Sequence, residues 1–181
     1  MGLFRKKNNK SSPNTISDNT NKEIMRAENA IKQGDLGAFM ELNSLCGITA
    51  DSSVQDLGKV EHYAYLVINQ CNDSRNDSGN NRGYAMATLG LIFGSSFPHA
   101  DLQPNSFENL DLCLYWLYLA SLNGFGATVD ERIKEILYNF DMPSLPPSVV
   151  ESWRKDIENN HYRTDKRYIP DGTKYHFQKE S

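Results

Sequence analysis

The sequence of 181 residues has few of the features that mark secreted or membrane proteins. Its three cysteines, Cys46, Cys71 and Cys113, are widely spaced and odd in number, so they do not suggest a disulfide framework. The longest nearly uninterrupted apolar run, residues 112–122, has 11 residues, whereas a membrane helix needs about 20. The N-terminal residues also lack the apolar stretch of about 7–15 residues typical of a secretory signal. We therefore predict a cytoplasmic protein without a membrane span.

Positive charge is scarce in the middle of the chain. The formal net charge is −4. Residues 1–22 carry five basic and one acidic side chain (+4), residues 23–150 carry seven and sixteen (−9), and residues 151–181 carry seven and six (+1). An acidic body argues against nucleic acid as the main ligand, because neutralisation of phosphates drives that binding. The charge balance thus predicts no nucleic-acid partner and favours a protein partner that is basic.

Strand-like alternation is also missing, whereas helical periodicity recurs along the whole chain. Apolar residues repeat at steps of three and four, as on one face of a helix. The predicted helices cover residues 20–33, 35–46, 53–71, 83–94, 108–123, 128–140 and 148–160. Capping-box patterns suggest four of the helix starts: Thr20-x-x-Glu23, Ser52-x-x-Gln55, Thr128-x-x-Glu131 and Ser148-x-x-Glu151. These patterns predict an all-α fold of about seven helices.

The distribution of polar residues predicts three regions. Residues 1–19 are rich in Asn, Ser and Lys and have no apolar periodicity, so we predict a disordered basic arm. Residues 20–160 form the predicted helical domain. Residues 161–181 have a mixed composition with several aromatic side chains, which predicts a C-terminal tail that is partly packed on the domain.

Two neighbouring predicted helices each carry small and aromatic residues at helical spacing. The first is A-x-x-x-L-G-x-x-F over residues 85–93, and the second is W-x-x-x-A-x-x-x-G-x-x-A over residues 116–127. This pattern resembles the Sel-one-like repeat, a tetratricopeptide-like helix pair, and a partial earlier copy begins at Gly34. The resemblance implies a short right-handed solenoid of antiparallel helix pairs. It also implies structural roles for seven residues: Leu89, Gly90, Phe93, Trp116, Ala120, Gly124 and Ala127.

Residues typical of catalytic and metal sites are few and scattered. No two of the four histidines, His62, His99, His161 and His176, are spaced to share a helical face at i, i+4. His62 and Cys71 are too far apart in sequence for the short ligand spacings of structural zinc sites. We predict His62 to be a surface residue and Cys71 a buried thiol. The sequence predicts no catalytic residues, no metal site and no cofactor.

The function that the resemblance implies is that of a non-enzymatic adaptor, binding a protein or peptide on a concave face. In such a stack the first helix of each pair, here 35–46, 83–94 and 128–140, lines that face. The predicted partner-binding residues are Glu41, Tyr84, Arg132 and Glu135. Two alternatives stay open. The acidic charge also suits a bacterial immunity protein that neutralises a cognate toxin by direct binding, and a small helical enzyme with unrecognised catalytic residues is the third.

Overall fold

The structure, a computed structural model, describes residues 13–71, 80–94 and 109–164. All regular secondary structure in these ranges is helical, which confirms the predicted all-α fold. The helices are α1 (Pro13–Lys32), α2 (Ala38–Cys46), α3 (Leu57–Gln70), α4 (Asn81–Phe93), α5 (Leu110–Ala120), α6 (Gly126–Asn139) and α7 (Pro147–Glu158). A π-type turn, Ser121–Phe125, joins α5 to α6. Because these two helices form one continuous stretch, the described residues contain six separate helices, and the count of about seven is not confirmed.

The ends of the chain differ from the predicted boundaries. Helix α1 begins at Pro13, where a proline is tolerated because the first turn needs no backbone N–H donor. Residues 13–19 therefore belong to α1 and not to the predicted arm, while residues 1–12 lie outside the described residues. Of the predicted C-terminal tail, residues 161–164 are described and contact the body, and residues 165–181 lie outside the description.

Side-chain caps occur at positions other than the predicted capping boxes. The Asp56 carboxylate accepts a hydrogen bond of 2.9 Å from the Lys59 N–H at the start of α3. The Asn109 side chain accepts one of 3.1 Å from the Leu112 N–H at the start of α5. The predicted caps lie elsewhere: Thr20 within α1, Ser52 in the loop before α3, Thr128 within α6 and Ser148 within α7. The short Asp and Asn side chains are strong caps, whereas a Ser/Thr-x-x-Glu/Gln pattern is common in polar segments.

The centre of the core lies between α4 and α5. Both helices are buried over most of their length, and Leu89, Phe93, Trp116 and Ala120 have no measurable exposure. A Cβ atom on Gly90 would lie 2.6 Å from the Leu117 side chain and 3.0 Å from its backbone N. Only glycine at position 90 lets the α4 backbone come this close to Leu117 of α5. The contact between these two helices is the most extensive in the described structure.

A kink separates α5 from α6. Gly124 has a φ of +89°, a left-handed conformation that side chains disfavour, and Asn123 before it also departs from helical geometry. The kink sets the rotation of α6, whose buried stripe is Val129, Ile133, Ile136 and Leu137. Ala127, predicted to be a packing residue, is exposed, because it lies off this stripe on the first turn of α6.

The continuous stretch Leu110–Asn139 is long enough to cross a membrane, and one 18-residue window within it is apolar enough, with a mean hydropathy of 1.3. This is weak evidence, because a core helix passes the same test, and 44% of the apolar window is buried within the protein. The kink at Gly124 lies in the middle of the stretch. The absence of a membrane span therefore stays a prediction.

Helix α7 has its main contacts with α5. The Trp153 ring lies 5.6 Å from the Tyr115 ring and 5.8 Å from the Tyr118 ring, measured between centroids. In a simple stack of pairs, α7 would lie chiefly against α6. The solenoid arrangement of the helices therefore stays a prediction.

Candidate functional site

A groove of about 280 Å³ lies where α2, α4 and α6 come together. Its lining consists of Asn43 at the end of α2, Ile48 and Thr49 in the following loop, Thr88 and Leu91 of α4, and Arg132 of α6. A larger depression is lined by residues of α1 and by Gln33, which directly follows it. The groove is the candidate site because three helices contribute to it, which gives it concave walls.

The α4 side of the groove combines a buried hydroxyl with an exposed aliphatic side chain. Thr88 is 3% exposed, and its Oγ1 donates a hydrogen bond of 3.0 Å to the backbone oxygen of Tyr84. Leu91, one turn further along, is 44% exposed, which is unusual for a leucine in so buried a helix. The exposed leucine gives the groove an apolar surface without a covering side chain.

Tyr84 lies between the α2 side of the groove and the core, and it does not line the groove itself. Its ring lies edge-on to Phe39 at 5.8 Å and to Phe125 at 6.0 Å. Its hydroxyl accepts a hydrogen bond of 2.8 Å from Asn43 Nδ2, which orients the amide at the groove. Tyr84 was predicted to point outward to a partner, but it is half-buried and packs against the core. The cause is the rotation of α4, which directs Tyr84 toward α2.

Hydrogen bonds fix the loop that follows α2. The Gly47 N–H donates to the Asn43 oxygen at 2.8 Å, and Gln55 Nε2 donates to the Ile48 oxygen at 3.0 Å. The Ile48 side chain packs against the core from this position. The α2 wall of the groove is therefore preformed in the free protein.

Arg132 forms the α6 side of the groove and is held in place at both terminal guanidinium nitrogens, Nη1 and Nη2. Its Nη2 donates to the Gly94 oxygen at 3.2 Å, and its Nη1 pairs with Glu135 Oε2 at 2.9 Å. Only 21% of the Arg132 side chain is exposed. The guanidinium ties α6 to the end of α4 and presents a polar edge to the groove.

The structure does not bring the four predicted partner-binding residues together. Of these, Arg132 lines the groove and Tyr84 supports it. Glu135 pairs with Arg132, and Glu41 pairs with Arg26 of α1. Both glutamates are thus engaged with cations of the same chain, which reduces the net charge that they offer to a partner.

Of the six lining residues, only Arg132 is among the residues that the sequence predicted to bind a partner, and the other five are not. The sequence did contain a signal for Thr88 and Leu91, because they follow Tyr84 at i+4 and i+7 on a single helical face. A leucine in that stripe marks an apolar surface beside the small-residue face of α4, which is formed by Gly83, Ala87 and Gly90. Ile48 and Thr49 had no local signal, since a loop reaches the groove only through tertiary contacts.

The lining can supply hydrogen bonds and apolar contact. It contains one amide, two hydroxyls, two aliphatic side chains and one guanidinium. Within the described ranges, no group of three or more His, Cys, Asp or Glu side chains is placed to hold a metal ion. His161 is exposed, and His99 and His176 lie outside the described residues.

Two ionisable side chains, Glu61 and His62, are buried in α3, with exposures of 1% and 2%. The prediction that His62 is a surface residue is therefore wrong. Its surroundings are the cause, because residues 60–65 of α3 are all buried and this segment has no outward face. Burial, together with the nearby charge of Lys32, lowers the pKa of His62 to about 4.

Comparison with protein-family models, curated proteins and solved structures finds no match for this chain. The resemblance to Sel-one-like repeats therefore rests on the residues of the chain alone.

Proposed function

We propose that this protein is a non-enzymatic interaction module that binds a peptide or protein segment in the groove between α2, α4 and α6. One observation carries the proposal. The groove lies on the three helices that the Sel-one-like resemblance assigns to the concave, partner-binding face. The groove and the sequence pattern are independent lines of support, because the pattern was defined by the core residues of α4 and α5.

The size and lining of the groove suit an anchoring side chain. Its volume of about 280 Å³ is close to the lower end of ligand pockets, which begin at roughly 300 Å³. Leu91 and Ile48 offer apolar contact at the groove, and Asn43, Thr49 and Thr88 add polar groups. An apolar centre with a polar rim is the usual anatomy of a protein interface. We expect one aliphatic or aromatic side chain of the partner to enter the groove.

The groove walls are ordered before a partner binds, which favours tight binding even through a small contact surface. Asn43, Ile48 and Arg132 are each held by hydrogen bonds or core contacts in the free protein. Binding then orders few side chains, each of which would otherwise cost about 0.5–1.5 kcal/mol. The described lining has no carboxylate, imidazole or thiol, so it favours recognition over catalysis as the use of this groove.

Selection from a phage-displayed library of random peptides tests the proposal. We expect enriched peptides to share an apolar anchor residue and to lose at least tenfold in affinity for the variant Leu91→Lys. Leu122→Lys is the matched control, since Leu122 is equally exposed, at 45%, but does not line the groove. Enriched peptides that bind both variants like the wild type would contradict the proposal.

The acidic balance supports a second candidate function, the neutralisation of a basic toxin by direct binding. Residues 23–150 carry a formal charge of −9, which would attract a basic protein to the helical domain. Such a partner would bind with a fixed stoichiometry, and its association would slow as salt rises while dissociation changes less. An adaptor that recognises an apolar anchor would show little salt dependence.

A further inference from the structure

The chain turns back on itself after α7. Asn160 adopts a left-handed conformation with a φ of +51°. The His161 N–H donates to the Asp156 oxygen at 2.9 Å, and the Asn160 N–H donates to the Ile157 oxygen at 3.2 Å. These are the two hydrogen bonds of a Schellman motif, which ends a helix and reverses the chain. The reversal directs residues 161–164, here called the return segment, toward α5.

Arg163 of the return segment contacts two aromatic rings and a carboxylate. Its guanidinium lies 5.0 Å from the centroid of the Tyr115 ring and 6.0 Å from that of Trp153. Its Nε lies 3.7 Å from Asp156 Oδ2, and its backbone N–H donates to the Tyr115 hydroxyl at 3.3 Å. The Arg163 side chain is thus held by cation–π contacts and an ion pair at the same time.

Tyr162 is held by an aromatic ring and a cation. Its ring lies 5.9 Å from the Trp116 ring, at an interplanar angle of 34°. The Arg82 guanidinium donates to the Tyr162 hydroxyl and lies 5.5 Å from the centroid of its ring. The recognition of Tyr162 therefore uses both its ring and its hydroxyl.

The residues that hold these two side chains come from three helices and form an aromatic cleft. They are Arg82 of α4, Tyr115 and Trp116 of α5, and Trp153 and Asp156 of α7. The return segment follows the last described helix, and 45% of the Arg163 side chain stays exposed. Its contacts combine packing of the Tyr162 ring on Trp116 with cation–π contacts and an ion pair, a mixture also found in bound peptides.

We propose that the aromatic cleft is a second peptide-binding site, which recognises an aromatic–basic pair of residues and is occupied by the chain's own Tyr162 and Arg163. The partner that fits it is a protein with an exposed Tyr-Arg segment, which competes with the return segment. Because the return segment is tethered, its effective concentration is high, and a free peptide binds only after the segment is released or altered.

The test uses the full chain with Tyr162→Ala and Arg163→Ala together. The probe is a fluorescently labelled synthetic peptide with the sequence of residues 158–166, and binding is followed by anisotropy. We expect the double variant to keep its helical circular-dichroism signal and to bind the peptide at least tenfold more tightly than the wild type. A peptide with alanine at both positions should not bind, and adding Asp156→Asn to the double variant should weaken binding severalfold. Leu91→Lys in the double variant should leave peptide binding unchanged.

Several results would overturn the proposal. One is a helical double variant that binds the peptide no better than the wild type, and another is equal binding of the alanine peptide. Loss of helical signal in the double variant and in both single variants would show that the return segment is part of the fold. A wild-type dimer that the double variant cannot form would show that the segment is exchanged between two copies.

Discussion

The two sides of α4 offer different surfaces to their neighbours. On the α5 side, Gly90 brings the helix backbones so close that a single added carbon would meet Leu117. On the groove side, Thr88 is buried, but no helix covers Leu91, which stays 44% exposed. One helix of 13 residues thus serves stability on one side and, in the proposed function, supplies a surface for recognition on the other. Substitutions on the first side should change the free energy of unfolding, and those on the second should change binding.

Trp116→Ala should have the largest effect on stability. Trp116 is the largest fully buried side chain, and its ring packs on Tyr65 at 5.6 Å and on Tyr115 at 5.0 Å. Truncation leaves a cavity, which should lower the free energy of unfolding by about 3–5 kcal/mol. Urea denaturation measures the change. Tyr138→Ala is the control at an aromatic residue that is 83% exposed, and similar losses for the two variants would contradict the account.

The buried His62 should make stability depend on pH. Its pKa in the folded protein is about 4, below its ordinary value of 6.5, so the unfolded chain takes up the proton first as pH falls. Stability should be fully present above pH 6.5 and should decrease toward pH 4, by up to about 3 kcal/mol.

Urea denaturation between pH 7 and pH 4 measures this effect. His62→Gln should remove this part of the pH dependence, whereas His161→Gln, at an exposed histidine, should keep it. Equal pH profiles for the wild type and His62→Gln would show that the histidine is accessible to protons in the folded protein.

Gly90→Val tests the close approach of α4 and α5. The new side chain would collide with Leu117, and relief of the collision requires the helices to move apart. We expect a loss of about 1–3 kcal/mol, as for other overpacked cores. Gly37→Ala is the control, because a Cβ atom there meets its nearest neighbour, Asp35 Oδ1, at 3.4 Å, an ordinary contact distance. A thermal melt that leaves Gly90→Val as stable as Gly37→Ala would be inconsistent with this packing.

Glu135→Gln should have the smallest effect on stability. Its carboxylate pairs with Arg132, but 45% of the Glu135 side chain is exposed, and such pairs contribute about 0–1 kcal/mol. Arg132 keeps its hydrogen bond to the Gly94 oxygen in the variant. We expect a change below about 0.5 kcal/mol in urea denaturation. A larger loss would mean that the pair is part of the fold and not of the groove surface.

Three predicted helices match the structure closely. The predicted segments 83–94, 128–140 and 148–160 differ from α4, α6 and α7 by at most two residues at each end. The start of α3 was harder to predict, because Asp51 accepts hydrogen bonds from the Ser53 N–H and hydroxyl. These bonds fold residues 51–53 into a turn, which competes with helix formation and leaves Asp56 as the cap.

The candidate site was predictable in part. The small-residue face of α4 indicated the close approach to α5, and the repeat pattern indicated which helices share a face. The position of Ile48 and Thr49 was not predictable, because it depends on a hydrogen bond from the Gln55 side chain, later in the same loop, and residues 53–55 were predicted to be helical. The burial of His62 was also not predictable, because the residues that pack around α3 are distant from it in sequence.

The most direct test of the account is chemical-shift mapping of an enriched library peptide on the ¹⁵N-labelled protein. The account predicts that the largest amide shifts occur at Asn43, Thr49, Thr88, Leu91 and Arg132, which contribute to the groove from three helices and one loop. Leu91→Lys should abolish these shifts while the rest of the spectrum stays folded. Shifts that concentrate elsewhere, or that persist in Leu91→Lys, would contradict the claim that this side of α4 is the binding surface.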